Sequence, residues 1–297
     1  MRYRPFGRSG VAVSALSLTL NGEDDRRKAS DWLALVHAAL EHGVNAFEIT
    51  QPSPALLSGF AQGVEAVRRS LLFVSLRADS QMLGRRLDGW VSEVISAGGF
   101  GEVNLFTIDA DSPDFEEALG AGLRLKDLNL VRRLAVCGPC ALLEQHVEDP
   151  LFDALVIPFG MLSGWRERNL VRVALGRQMG VMSYDPCPAQ LTEIAKEERK
   201  QAKGGWFRRA DPLSTAGSHT FLQSTPGWTP EQICLAYALT EPAVTTVQMP
   251  VKDAEHLAGL AAVPERNLPA QVAAQIEMSH FTGERTARTR SSDKRRA

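Results

Sequence analysis

Short apolar segments alternate with longer segments of helical periodicity along this chain of 297 residues. Eight of the apolar segments have the length and side-chain content of buried β-strands. They begin at Val13, Val44, Leu71, Glu102, Arg132, Asp153, Gly180 and Val244. Strands that are apolar on both faces and separated by helices are typical of a parallel sheet covered by helices. The pattern therefore predicts an α/β fold.

The segments between the strands repeat apolar residues at three- and four-residue spacing, as a half-buried helix does. In the segment 29–43, Ser30 or Asp31 is the predicted N-cap and Gly43 is the predicted end. The segment 83–99 has the same period. Less regular helical segments follow Asp114, Cys140, Arg166 and Pro230.

Eight strand–helix units in succession predict a closed (β/α)8 barrel, also called a TIM barrel. A doubly wound sheet that binds a dinucleotide would carry a glycine-rich fingerprint after its first strand. Here Gly22 stands alone after the first predicted strand. The barrel is therefore favoured over the doubly wound alternative.

Two segments depart from this regular alternation. The polar stretch at about 187–229 is too long for an ordinary loop, so it is predicted to be an insertion over the barrel mouth or a lid. Residues 282–297 are rich in arginine and nearly free of large apolar side chains, which predicts a disordered basic tail. The predicted barrel domain accordingly covers residues 1–281.

The charge balance excludes several classes of protein. The chain has 33 Lys and Arg against 35 Asp and Glu, a formal net charge of −2, so nucleic-acid binding is not expected. No apolar run approaches the ~20 residues of a membrane span. The opening lacks the apolar region of a signal peptide, and four cysteines are too few for a disulfide framework. We therefore expect a cytoplasmic protein whose partner is an unknown small molecule or protein.

Several blocks of sequence together resemble the aldo-keto reductases. In order, they are MRYRPFGRSGVAVSALSL, HAALEHGVNAFEIT, VNLFTID, GVMSYDP and QICLAYALTEPAVTTVQMPVKDAEHL. The resemblance runs from Met1 to about Leu260. It implies a barrel of aldo-keto reductase type whose opening segment forms a small hairpin at the bottom of the barrel.

The resemblance also implies the location of a catalytic site, because the family transfers hydride between NADP(H) and a carbonyl group with an Asp, a Tyr, a Lys and a His. In this chain the four equivalent positions hold Glu48, Ser53, either Leu76 or Arg77, and Asp109. All four family residues are therefore altered.

These four changes argue against the family's standard chemistry. A serine hydroxyl such as that of Ser53 is far less acidic than a phenol, and a carboxylate at Asp109 would repel a developing alkoxide. Arg77 is a fixed cation that can pair with Glu48 or Asp109. The sequence thus predicts a binding, scaffold or regulatory protein. The alternative is an NADP(H)-linked oxidoreductase that uses Glu48 or Asp109 as its acid.

The comparison of this sequence with the family's cofactor-binding residues also argues against binding of NADP(H). Cys137 and a glycine replace the Ser-Asn pair that holds the nicotinamide carboxamide in the family, and Val156 replaces a glutamine. Tyr184 matches the aromatic residue that stacks on the nicotinamide. Lys252 lies in the phosphate-binding loop, where Pro250 replaces a glycine and supplies no N–H group.

The sequence Cys137-Gly138-Pro139-Cys140 forms a C-x-x-C motif between a predicted strand and a predicted helix. A helix N-terminus lowers the pKa of a nearby thiol, which suggests a dithiol redox role as a further alternative. The other interpretation is two buried thiols in a turn that Gly and Pro favour. The motif lacks the partner ligands of a zinc site, so no metal is predicted.

Overall fold

The computed structural model describes residues 1–23, 27–77, 87–203 and 219–278. Within them a two-stranded antiparallel hairpin precedes a closed barrel of eight parallel strands in the order β10-β3-β4-β5-β6-β7-β8-β9. The strands are β1 Tyr3–Phe6, β2 Val11–Ser14, β3 Leu16–Asn21, β4 Ala46–Thr50, β5 Phe73–Arg77, β6 Leu105–Asp109, β7 Leu134–Cys137, β8 Ala154–Pro158, β9 Gly180–Tyr184 and β10 Thr246–Pro250. The predicted (β/α)8 barrel is confirmed.

Helices cover the outside of the barrel. They are α1 Ala29–Glu41, α2 Pro54–Val64, α3 Leu87–Gly98, α4 Phe115–Asp127, α5 Cys140–Leu143, α6 Trp165–Gly176, α7 Ala189–Lys203, α8 Phe221–Ser224, α9 Pro230–Ala238, α10 Ala254–Ala261 and α11 over 270–278. Ser30 and Asp31 were predicted as caps of α1, but the N-cap is Lys28. Asp31 instead lies inside the first turn and accepts a hydrogen bond from the Lys28 N–H at 2.8 Å. Gly43 does follow the end of α1, with a φ of +76°.

The lower part of the barrel interior is apolar. Strand residues two apart point to the same side of a sheet, so alternate residues of each strand fill the interior. The hairpin closes the bottom, as expected, because Phe6 packs into the barrel with its ring centroid 4.6 Å from that of Phe73. The interior apolar cluster consists of Phe6, Val13, Ala46, Phe73, Leu105, Ala135, Cys137, Ala154, Val156 and Met182.

Buried polar side chains lie among the apolar ones on one side of the barrel, which β10, β3, β4, β5 and β6 form. The buried polar residues on these strands are Ser17, Glu48, Ser75, Thr107, Thr246 and Gln248. On β4, Ala46 and Glu48 are two residues apart and point to the same side of the sheet, so the barrel interior changes from apolar to polar between them. Glu48 therefore lies between the apolar floor and the carboxyl ends of the strands, where barrel enzymes carry their sites.

The segments predicted as an insertion and a tail are described only in part. Helix α7 accounts for 189–203, while 204–218 lie outside the described residues. Helices α7, α8, α9 and α11 share a separate apolar cluster that includes Leu191, Phe221, Ile233 and Val272. The basic tail at 282–297 lies outside the described residues, so its disorder stays a prediction. Among the helices that are described, none combines the length and hydropathy needed to cross a membrane.

Candidate functional site

An ion pair lies at the mouth of the barrel, at the carboxyl ends of two neighbouring strands. Arg77 ends β5 and Asp109 ends β6. The Nη2 and Nε atoms of Arg77 lie 2.7 Å and 3.1 Å from Oδ1 of Asp109. Both side chains are 26% exposed. Leu76 is fully buried in the apolar layer under the helices, so strand alternation assigns the mouth position to Arg77 rather than to Leu76.

Tyr184 joins this ion pair from the end of β9. The guanidinium carbon of Arg77 lies 5.5 Å from the centre of the Tyr184 ring, within range of a cation–π interaction. Burial raises the pKa of the Tyr184 phenol, and the positive charge of Arg77 opposes this shift without reversing it. A phenol that donates a proton readily needs a lowered pKa. Tyr184 therefore keeps its proton in this setting.

Glu48 lies in the barrel interior, on β4. Its side chain is 2% exposed, and its Oε2 atom accepts a hydrogen bond of 3.3 Å from the Thr19 hydroxyl. The Oε1 atom is buried without a hydrogen-bond partner among the described residues. Burial raises the pKa of Glu48, and the nearby charge of Arg77 opposes the rise. Such a carboxyl group favours the protonated form, because a buried charge without full hydrogen bonding is costly.

Two neighbours of Glu48 were missed by the sequence analysis. Thr19 is the residue of β3 that pairs in register with Glu48, and Gln248 of β10 faces the same carboxyl group. The Gln248 amide atoms are buried without a hydrogen bond of regular geometry in the described part of the chain. The sequence did show polar residues at alternate positions of otherwise apolar strands, and this pattern could have indicated Thr19 and Gln248. Only the strand order of the closed barrel shows that both residues neighbour Glu48.

Ser53 shares no hydrogen bond with the other three predicted catalytic positions in the described part of the chain. It is the N-cap of α2, and its hydroxyl oxygen accepts a hydrogen bond of 3.2 Å from the Leu56 N–H. Pro54 follows at the first helical position, where its fixed φ suits a helix start. The local sequence thus uses Ser53 to begin a helix. Of the four positions, the structure brings Glu48, Arg77 and Asp109 together.

The two cysteines of the C-x-x-C motif lie in different parts of the core. Cys137 packs in the barrel interior, whereas Cys140 packs in the layer between the barrel and its helices. Both thiols are free. Burial raises the pKa of Cys137 well above its ordinary value, and burial, aided by the Glu167 carboxylate, raises the pKa of Cys140 to about 11. The pKa of both thiols is therefore raised and not lowered as the helix N-terminus predicted, and the largest cause is burial.

The residues at the mouth fit a nicotinamide cofactor poorly. Cys137 and Val156 are buried in the apolar interior cluster and offer no hydrogen-bonding partner to match a carboxamide. Arg77 lies over the ring of Tyr184, which is the residue expected to stack on nicotinamide. Lys252 is exposed, and its carbonyl oxygen accepts a hydrogen bond of 2.7 Å from Arg27. Two cations are therefore present near the expected phosphate end, while the amide-binding groups are lacking.

Comparison with known proteins settles the family. Residues 17–280 match the model of the aldo/keto reductase family. The chain belongs to this family. The fold is similar to that of the aldo-keto reductase AKR11C1 from Bacillus halodurans, with TM-scores of 0.64 for its apo form and 0.67 for its holo form. Each alignment covers 93% of this chain and 95% of the other at 15% sequence identity, which shows a shared fold. No curated protein matches the chain.

The described residues were also searched for a metal site. No group of three or more His, Cys, Asp or Glu side chains able to hold a metal ion occurs within residues 1–23, 27–77, 87–203 and 219–278. Among the residues that the structure describes, the candidate site contains the Arg77–Asp109 ion pair, the Tyr184 phenol and the buried Glu48 carboxyl group.

Proposed function

We propose that this member of the aldo/keto reductase family does not carry out the family's standard carbonyl reduction and acts as a binding, scaffold or regulatory protein. The observation that carries the proposal is the ion pair between Arg77 and Asp109, with 2.7 Å between Nη2 and Oδ1, at the end of β5 and β6. Arg77 stands at the position of the lysine that lowers the pKa of the family's proton donor, and Asp109 stands at the position of the histidine that orients the carbonyl group; here the two groups neutralise one another. The ion pair leaves no proton ready for transfer at this point.

Reduction of a carbonyl group requires a proton donor next to the oxygen on which negative charge develops. Arg77 stays protonated, and the pKa of Tyr184 is raised rather than lowered. Ser53 is occupied as the cap of α2. The Asp109 carboxylate would repel the developing charge, so the transition state would lose stabilisation that the family relies on.

The same groups suit the binding of a polar ligand. Arg77 and Asp109 are each about a quarter exposed, and Tyr184 presents an aromatic ring beside them. A cation, a carboxylate and a ring together can contact a small polar molecule or a side chain of a partner protein. NADP(H) is the weaker candidate, because Cys137 and Val156 offer no partner to its carboxamide.

Turnover and cofactor binding test the proposal directly. The full chain is assayed with NADPH and a panel of aldehydes and quinones, beside an active family member as the positive control. We expect no turnover above the background rate and no saturable change of fluorescence with NADPH. Robust turnover that Glu48→Gln or Asp109→Asn abolishes would overturn the proposal.

A second candidate is an NADP(H)-linked oxidoreductase that uses Glu48 as its acid. The raised pKa of Glu48, caused by burial, favours this candidate because it keeps the carboxyl group protonated at higher pH. The 2% exposure of Glu48 counts against it, since a side chain this deeply buried is shielded from a substrate in the mouth. The variants Glu48→Asp and Glu48→Gln separate the two candidate functions. Only the oxidoreductase candidate predicts turnover that is reduced in Glu48→Asp and absent in Glu48→Gln.

A further inference from the structure

Polar side chains at five interior positions of the barrel carry atoms without a hydrogen bond of regular geometry among the described residues. These atoms are Ser17 Oγ, Glu48 Oε1, Thr107 Oγ1, Thr246 Oγ1 and both amide atoms of Gln248. The five side chains are at most 2% exposed. Their neighbours in sequence pack in the outer apolar layer, so strand alternation points all five into the barrel. Buried polar atoms are almost always paired in native proteins, so this interior calls for a bound partner.

The strand register places Gln248 level with Glu48. In a TIM barrel, register partners on neighbouring strands differ in height by about one residue. Here the partners descend from β10 to β5, because the row that begins at Gln248 ends at Phe73 on the floor. Gln248 therefore lies one step above its partner Ser17, and Glu48 lies one step below its partner Thr19. Since Ser17 and Thr19 are two residues apart on β3, Gln248 and Glu48 share one layer.

Thr107 lies in the same layer, on the other side of Glu48. Its partner on β5 is Arg77, one step above it, while the partner of Glu48 on β5 is Ser75, one step below. Arg77 and Ser75 are two residues apart, so Thr107 and Glu48 are level. The Glu48 carboxyl group is thus flanked by Thr107 and Gln248, and all three side chains carry unpartnered polar atoms.

The interior beneath this layer is formed mostly by small side chains. Bulky branched residues dominate the interior of most TIM barrels. The next layer down consists of Ser17, Ser75, Ala135 and Met182, and the layer below that consists of Ala46, Leu105, Ala154 and Thr246. Serine and alanine therefore border the unpartnered groups, which leaves space beside them for a small occupant.

We propose that the barrel interior binds ordered water between Glu48, Thr107 and Gln248, with Ser17 beneath. A buried water molecule needs two to four polar partners, and these side chains supply that number. Water both donates and accepts hydrogen bonds, as hydroxyl groups and a side-chain amide require. It is also the smallest occupant that does so.

The state of Glu48 fits a neutral occupant. Its Oε2 atom accepts a hydrogen bond from the Thr19 hydroxyl at 3.3 Å. Burial raises the pKa of Glu48, so the carboxyl group holds its proton more firmly and can donate it from Oε1 to the water. The water site lies one layer below Arg77 and does not include the ion pair. This inference is therefore independent of the proposed loss of reductase chemistry.

A crystal structure of the full chain, at a resolution that shows ordered solvent, tests the inference directly. We expect density beside Glu48, Thr107 and Gln248 at hydrogen-bond distances of about 2.7–2.8 Å from their oxygen atoms. A cation with contacts of about 2.0–2.6 Å, an organic molecule, or an interior without density would each overturn the inference.

Two matched variants test it in solution. Ser17 and Ser75 are fully buried in the same layer, but Ser75 donates a hydrogen bond of 3.3 Å to the Phe47 carbonyl oxygen, whereas Ser17 Oγ has no regular partner among the described residues. Ser75→Ala therefore measures the loss of one known hydrogen bond. We expect Ser17→Ala to lower the midpoint of urea unfolding to a similar extent, because the bond to water is lost.

The sign of the Ser17→Ala effect decides the outcome. Removing a buried hydroxyl group that has no partner relieves the cost of its burial and raises the midpoint, whereas removing a paired one lowers it. An unchanged or raised midpoint in Ser17→Ala, beside a lowered midpoint in Ser75→Ala, would contradict bound water at this position.

Discussion

The floor and the mouth of the barrel are formed by the same strands, yet they differ in chemistry. On β5, Phe73 fills the floor and Arg77 reaches the mouth four residues later. On β6, Leu105 and Asp109 repeat the same change. The floor is densely packed and apolar, whereas the mouth keeps an ion pair and a buried carboxyl group whose Oε1 lacks a partner within the described residues. Such costly polar groups are typical of functional sites, where local stability is reduced for the sake of function.

The largest expected effect tests the floor. Phe73 is fully buried and its ring packs on Phe6. Phe73→Ala should lower the free energy of unfolding by about 3–5 kcal/mol, because it removes apolar contacts and leaves a cavity. Denaturant unfolding measures the change. Leu71→Ala is the matched control, since Leu71 is 60% exposed, and a similar loss in both variants would contradict the role of the floor.

The next effect tests the ion pair. Asp109→Ala leaves the Arg77 guanidinium without its partner, and we expect a loss of about 1–3 kcal/mol, below the value for a fully buried pair because both groups are 26% exposed. The double variant Arg77→Met with Asp109→Leu removes both charges. It should recover most of the loss in denaturant unfolding. A double variant as unstable as Asp109→Ala would show that the charges themselves stabilise the fold.

A third effect concerns the pH dependence due to Glu48. Because burial raises the folded-state pKa of Glu48, the folded protein holds this proton at pH values where the unfolded chain has lost it. The contribution of Glu48 to the free energy of unfolding is therefore fully present below the unfolded-state pKa of about 4.3. It is lost as the pH rises from there towards the folded-state pKa, by at most about 1.4 kcal/mol per pH unit.

Glu48→Gln removes this titration. The variant should be more stable than the wild type at neutral pH, and the difference should shrink as the pH falls towards the ordinary carboxyl range. Urea unfolding at a series of pH values measures the difference, with Glu255→Gln on the exposed side of α10 as the matched substitution. A difference between Glu48→Gln and the wild type that is constant with pH would refute the raised pKa.

The smallest effect separates a helix cap from the site at the mouth. Ser53→Ala should lower stability by about 1 kcal/mol, because the Leu56 N–H loses its hydrogen-bond partner. Ser53→Asp restores a capping oxygen and should recover the stability measured by thermal unfolding. Any ligand found to bind at Arg77 should bind both variants equally. A selective loss of binding in Ser53→Ala would place Ser53 in the site after all.

The pattern of apolar and polar residues was sufficient to predict the barrel and its eight strands, because strand and helix periods are local properties of the chain. The hairpin at its bottom was an implication of the family resemblance. The positions that the family resemblance indicated, Glu48, Leu76 or Arg77, and Asp109, lie on β4, β5 and β6. The N-cap of α1 was predicted two or three residues late, since Asp31 suits an N-cap and the first turn of a helix equally well.

Tertiary structure alone decided which side chains meet. The sequence left Arg77 free to pair with Glu48 or Asp109, and the closed barrel pairs it with Asp109 at the mouth. The C-x-x-C motif suggested that Cys137 and Cys140 act together, whereas the fold packs Cys137 in the barrel interior and Cys140 in the layer under the helices. Contacts between distant elements depend on strand order, on register and on the burial of each group, and burial also sets the sign of the pKa shifts. None of these quantities is contained in local sequence spacing.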